Sequence, residues 1–458
     1  MSSPPLQKNQ KIELEIEDLA YGGAGVSRHE NYVVFVEGVV PGDRVLARIV
    51  KRKASHSVAR VEEILRPSPV RIQPRCPLQS HCGGCVWQAL PYDEQLKVKE
   101  RIVEDSLARI GGLGEPPLEP IEPSPQVWRY RNKMDFTFGR DETGRPILGY
   151  HYPGRFDRIF SVKRCLLQPE AFDFVLEAVD EWAQTCGLPP YDPKTHDGIL
   201  RTLLLRRSDA DGRWLAALLS KTADVKNRIE SLGELLAKTA PGFAGLIWGF
   251  NDGVADFVRM DREAGRVGEP SLVERIGPFQ FRISPFSFFQ TNTPGAETLY
   301  RLTREFAELS GRETLLDAYC GTGSIGIFCA SRARQVVGVE IVREAVWDAR
   351  ANAALNGFGH CLFLAAPLDQ GLALARQATA NPIDRVIIDP PRGGMDKRSL
   401  RRLLELRAPV FVYVSCNPTT LARDVAAILE SGYQVRRVKP VDMFPHTYHV
   451  ETVIQFAR

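Results

Sequence analysis

The chain has 458 residues, 44% of them hydrophobic and 25% charged, and 59 Lys and Arg against 56 Asp and Glu give a formal net charge of +3. That composition excludes a disordered or fibrous chain and suggests about three domains of roughly 150 residues; its near-neutral balance leaves any nucleic-acid partner to be argued from local patches. The opening MSSPPLQKNQ has no secretory apolar run, no stretch reaches the roughly 18 apolar residues that span a bilayer, and nine cysteines is an odd count, so a cytoplasmic, membrane-free protein with metal-binding or catalytic rather than disulfide-bonded cysteines is expected.

Residues 8–66 read as a small all-β module. KIELEI alternates apolar and charged residues, YVVFV, RVLARIV and SVARVEEIL follow, and YGGAG and VPGD supply turns. Five short strands in about 60 residues suggest an OB-like barrel suited to RNA binding. Arg44, Arg48, Lys51, Arg52 and Lys53 gather around one strand, either as a nucleic-acid patch or as a charged edge that resists aggregation.

A linker, RPSPVRIQP, leads into RCPLQSHCGGCVW, where Cys76, Cys82 and Cys85 are spaced by six and three. Cys82-Gly-Gly-Cys85 is half of a zinc knuckle, but no second pair follows, and only Cys165 and Cys186 are upstream candidates for a fourth ligand. Unpaired spacing favours an iron-sulfur centre over zinc. The rest of the 67–285 segment holds a helix at YDEQLKVKERIVEDSLARI and then a β-rich domain. Within it Trp128, Arg129, Tyr130, Arg131 and Lys133 interleave rings with cations, as a base-stacking surface or a half-buried strand would.

Residues 286–458 change to strand-helix alternation, which implies parallel strands with helices on both faces. LLDAYCGTGSIG puts Gly321, Gly323 and Gly326 between the first strand and its helix, and the second strand ends at Glu340, where a carboxylate can accept ribose hydroxyls. A nicotinamide cofactor would fit this loop equally well. RVIIDPPRGG and VYVSCNP, however, place Asp389 and Cys416 at the carboxyl ends of the fourth and fifth strands, facing the same crevice. A dehydrogenase has no need of that cysteine.

DAYCGTG, DPPRGG, SCNPTTL and HTYHVET, with PFSFFQTN upstream, closely resemble the motifs of the S-adenosylmethionine-dependent RNA uracil-C5-methyltransferases. The N-terminal barrel resembles the TRAM domain of ribosomal members. The implied fold class is α/β: a Rossmann-like class I methyltransferase domain preceded by a small OB-like β-barrel and a central β-rich domain. The resemblance implies Cys416 as nucleophile and Glu451 as base. It implies cofactor contacts from Gln290, Tyr319, Glu340 and Asp389, with Gly321 and Ser324 in the same loop. It also implies a 4Fe-4S cluster on Cys76, Cys82, Cys85 and Cys165. Phe288 is a candidate to stack on an extruded base, and the adenine-side contact near Ala366 to Asp369 departs from the family pattern.

The chemistry explains why such residues are needed. Carbon 5 of uracil is a poor nucleophile until a thiolate adds to carbon 6, and a base must then remove the carbon 5 proton. The expected partner is 23S rRNA, acted on by a monomer. Transfer-RNA methylation, methylation of an exocyclic amine and a non-catalytic iron-sulfur RNA-binding protein are the alternatives, the last two having no use for Cys416 beside Glu451.

Overall fold

The computed structural model describes residues 5–222, 226–253 and 258–458. The N-terminal module has six strands between Lys11 and Arg66, one more than the turn-rich YGGAG region suggests, because Asp18–Leu19 and Gly25–His29 pair across that turn. Lys11–Glu15 pairs antiparallel with Arg44–Arg52, which pairs with His56–Arg66; the latter runs parallel to Tyr32–Glu37. Alternation turns Leu14, Val34, Val36, Val45, Ala47 and Ile49 into one small core. Of its clustered surface cations, Arg44 pairs with Glu13 and Arg48 with Glu62.

The central unit is a seven-stranded sheet. From one edge it runs Arg262–Gly268, Phe243–Phe250, Trp214–Ser220, Leu200–Arg207, Lys133–Arg140, Pro146–Tyr152 and Arg155–Ser161, antiparallel except between Trp214–Ser220 and Phe243–Phe250. Helices Glu170–Thr185 and Lys226–Thr239 supply Phe172, Val175, Leu176, Leu232 and Leu236 to its core.

Here the expected ring-and-cation surface is corrected. The strand begins only at Lys133, and Arg129 has φ 58. Trp128 stacks on His446 at 3.8 Å, Tyr130 is 2% exposed with its hydroxyl donating to Pro445 O at 3.1 Å, and Arg129 donates to the carbonyls of Cys165 and Gln168. Trp128, Arg129 and Tyr130 therefore join segments of the protein.

The C-terminal unit is a second seven-stranded sheet, ordered Cys361–Ala365, Gln335–Glu340, Thr314–Ala318, Arg385–Ile388, Val410–Ser415, Glu451–Ala457, Gln434–Val441. The first five are parallel, and the last two are antiparallel to their neighbours. Strands such as Thr314–Ala318 and Val410–Ser415 are buried throughout because helices cover both faces. Strand order reverses beside Thr314–Ala318, and at such a switch point the carboxyl ends open a crevice. Helix Tyr92–Arg109, which follows the cysteine segment, packs on helix Pro418–Glu430 of this unit. Among the described residues no helix is long and apolar enough to cross a membrane.

Candidate active site

Strand Thr314–Ala318 runs out into Tyr319, Gly321 and Gly323, all with positive φ. A Cβ on Gly323 would come within 2.9 Å of the Phe363 ring, whereas one on Gly321 would meet nothing within 4 Å. Gly323 is therefore held by packing, and Gly321 faces open space that a ligand can enter. Asp317 braces the loop by accepting from Gly326 N at 2.8 Å, and burial pushes its carboxyl up to about 7. Glu340 accepts from Gly321 N at 3.2 Å and from Ile341 N and Val342 N at 2.8 and 2.9 Å. These bonds fix its carboxylate at the end of the second strand. Ser324, at the start of the helix, shares a 2.8 Å hydrogen bond with the Tyr300 hydroxyl.

Gln290 belongs to the loop between Ile283 and Thr293. Arg206, fully buried, donates to Ser284 O at 2.6 Å, Ser287 O at 2.7 Å and Phe289 O at 3.4 Å. Asn132 donates to Gln290 O at 3.0 Å, and Thr322 of the glycine loop donates to Phe288 O at 3.3 Å. The central sheet thus holds the loop that offers Phe288, which is 69% exposed and so is not core packing. In sequence, Arg206 looks like a solvated cation. Asp369, considered above for an adenine contact, is paired with Arg398 at 2.7 Å.

Cys416 follows the buried strand Val410–Ser415, and Asn417 caps the next helix by accepting from Thr419 N at 3.1 Å. Ser415 pairs with Thr452 in the antiparallel ladder, so Cys416 and Glu451 come at adjoining strand ends. Glu451 is 5% exposed, and burial, then Asp389, pushes its carboxyl up to about 8. Asp389 keeps part of its surface open, yet the protein crowding its carboxylate pushes it up to about 7. Burial, then Glu451 and Asp389, pushes the Cys416 thiol up to about 12, while Arg392 acts in the opposite sense. Burial and the neighbouring carboxylates thus hold the thiol neutral in this pocket. Three groups missing from the sequence reading border it: Tyr21, whose hydroxyl donates to Cys416 O at 3.1 Å, Tyr448, and His449, which burial pushes down to about 4.

Among the described residues no group of three or more His, Cys, Asp or Glu is arranged to hold a metal ion. The four thiols nonetheless share one neighbourhood. Burial first, then Cys165, Cys82 and Cys76, pushes Cys85 up to about 12, and Gly84 N–H donates to Cys82 Sγ at 3.4 Å.

Residues 272–458 match the family model described as tRNA (Uracil-5-)-methyltransferase, and residues 5–61 match the TRAM domain. An uncharacterized RNA methyltransferase of Caldanaerobacter subterraneus is 38% identical over 450 residues, covering 98% of this chain and 99% of its own. The chain belongs to the RNA (uracil-5-)-methyltransferase family. A second relative, an uncharacterized RNA methyltransferase of Chlorobaculum tepidum, is 37% identical over 99% of this methyltransferase and 97% of its own length. Among solved structures, the Pyrococcus abyssi tRNA (uracil-54, C5)-methyltransferase in complex with S-adenosyl-L-homocysteine superposes with a TM-score of 0.77 at 26% identity. That match covers 97% of this chain and all of the other.

For this methyltransferase, Arg206→Met is expected to leave buried carbonyls without a donor. Stability should fall by about 3 kcal/mol, at the upper end of the cost of an unsatisfied buried group. Denaturant titration alongside equilibrium binding of S-adenosylmethionine checks it, with affinity expected to weaken because the Gln290 loop loses its anchor.

Proposed function

We propose that this enzyme methylates carbon 5 of a specific uridine in 23S rRNA, using S-adenosylmethionine, through a covalent Cys416 adduct at uracil carbon 6. The observation that carries the reading is the meeting of Cys416, Glu451 and Asp389 at adjoining strand ends beside the glycine loop. Tyr319, Gly321, Ser324, Glu340 and Gln290 would hold the cofactor, with Asp389 on the cofactor or the uracil edge. The bound cofactor supplies an electrophilic methyl on a cationic sulfonium. A positive charge in this pocket opposes Glu451 and Asp389 and favours the Cys416 thiolate. The thiolate would add to carbon 6 and the carbon 5 enolate attack the methyl, whose bond to the sulfonium sulfur breaks to leave a neutral thioether; Glu451 would accept the carbon 5 proton as the Cys416–carbon 6 bond breaks to restore the ring.

The barrel together with the cysteine segment supports ribosomal RNA. A second reading, a transfer-RNA uridine, is supported by the description of the matched family and by the Pyrococcus enzyme's substrate. Mapping 5-methyluridine in ribosomal and transfer RNA from cells lacking this protein tests both: one uridine of 23S rRNA should lose its methyl group, and a loss confined to tRNA refutes the first reading.

The same proposal gives Cys76, Cys82, Cys85 and Cys165 a 4Fe-4S cluster. The donor set is four soft thiols with mutual electrostatic influence, which suits such a centre once metal displaces their protons. Anaerobically purified protein is expected to contain iron and sulfide in equal amounts, and Cys85→Ser to lose both. A colourless protein with bound zinc would refute the assignment.

A further inference from the structure

The N-terminal barrel reaches into the catalytic centre. Its turn between Asp18–Leu19 and Gly25–His29 is closed by Ala20 N donating to Ala24 O at 2.8 Å and Gly23 N to Ala20 O at 3.0 Å. Trp87, beside the cysteine segment, donates through its indole to Gly23 O at 3.2 Å and through its backbone to His446 O at 3.0 Å. Gly23 has φ +91, and a Cβ there would meet Val86 at 2.9 Å and the Tyr448 ring at 3.2 Å. Arg101 pairs with Asp18 across the same seam. The turn is thus wedged between the cysteine segment and the chain leading to Glu451.

At its tip Tyr21 packs edge-on against Tyr448, with ring centroids 5.4 Å apart at 88°, and its hydroxyl donates to Cys416 O at 3.1 Å. The sheet ladder ends one residue earlier, at Ser415 with Thr452. The carbonyl of Cys416 therefore lies beyond the ladder, and a residue 395 positions away supplies its donor. Burial, then Cys416 and Tyr448, pushes the Tyr21 phenol up to about 12. It stays a donor throughout the neutral range. A phenylalanine would make the same ring contact with Tyr448, so packing alone gives no account of the hydroxyl.

We propose that Tyr21 is a positioning residue for the nucleophile, fixing the Cys416 peptide from the RNA-binding barrel so that the sulfur is aligned with uracil carbon 6. This rests on Cys416 being the nucleophile. It makes the barrel a component of the chemical step, whereas a barrel that only tethers RNA affects the KM for RNA alone.

The test uses full-length Tyr21→Phe. Its kcat is expected to fall about tenfold, the scale of one hydrogen bond that aligns a reacting group, with KM for RNA and affinity for S-adenosylmethionine unchanged. RNA carrying 5-fluorouridine at the target position gives a second readout. Fluorine replaces the proton that the base must remove, so the carbon 6 adduct cannot resolve, and its formation should slow by the same factor. Wild-type kcat and adduct formation, or a raised KM for RNA with kcat unchanged, would overturn the role of Tyr21. A Cys416→Ala protein that still forms the adduct would instead overturn the nucleophile assignment beneath it.

Discussion

Cys416→Ala is expected to abolish methyl transfer, by on the order of a million-fold, the scale on which removing a covalent nucleophile acts. The loss should fall on kcat, since the nearby thiols of Cys320 and Cys329 are buried in the core of the C-terminal unit. Alanine keeps the backbone, so the Asn417 cap and the bond from Tyr21 survive, and binding of S-adenosylmethionine should be unchanged. Methyl incorporation from labelled cofactor into RNA measures the first quantity and calorimetry the second. Persistent 5-methyluridine at the wild-type rate would remove the covalent mechanism.

Glu451→Gln should fail later in the cycle. Adduct formation and methyl transfer need Cys416, but release needs loss of the carbon 5 proton, so a methylated protein–RNA adduct should accumulate. It would be visible as a slow-migrating band resistant to denaturation. Turnover should drop by about 10²–10⁴, the range for general-base catalysis. In the native enzyme the base must be ionised, and burial has raised Glu451 to about 8. Below that value the ionised fraction falls tenfold per unit, so the rate at which the preformed methylated adduct breaks down should rise with pH from 6 toward 8 with unit slope. The acid limb should vanish in Glu451→Gln if this carboxylate is its source. An unchanged limb would assign the ionisation elsewhere.

The parts of this site that can be read directly in the sequence sit at the carboxyl ends of parallel strands. There a short apolar run ends abruptly in glycine, proline or a reactive group, so DAYCGTG, DPPRGG and SCNP announce both the strand and the edge it faces. Arg206 was invisible for the opposite reason. LRTLLLRR offers several arginines, and only the fold shows which one is fully buried among the carbonyls of a distant loop. The run from Trp128 to Lys133 misled because alternating rings and cations describe a nucleic-acid surface and an interdomain seam equally well. Contacts with Pro445 and His446, more than 300 positions away, decided for the seam. The extra barrel strand escaped because Asp18–Leu19 is two residues long, too short for any periodicity.

Adjoining strands of one sheet carry Cys416 and Glu451, the proposed nucleophile and base, and a hydrogen-bonded ladder does not stretch during turnover. On that proposal the uridine has to leave its stack and turn to meet two groups held by one sheet. Unstacking costs a few kcal/mol and is cheapest where the strand is already bent or loosely paired. Selection among uridines then becomes partly mechanical, as the pliancy of the RNA decides which bases can be presented at all, before any base edge is read.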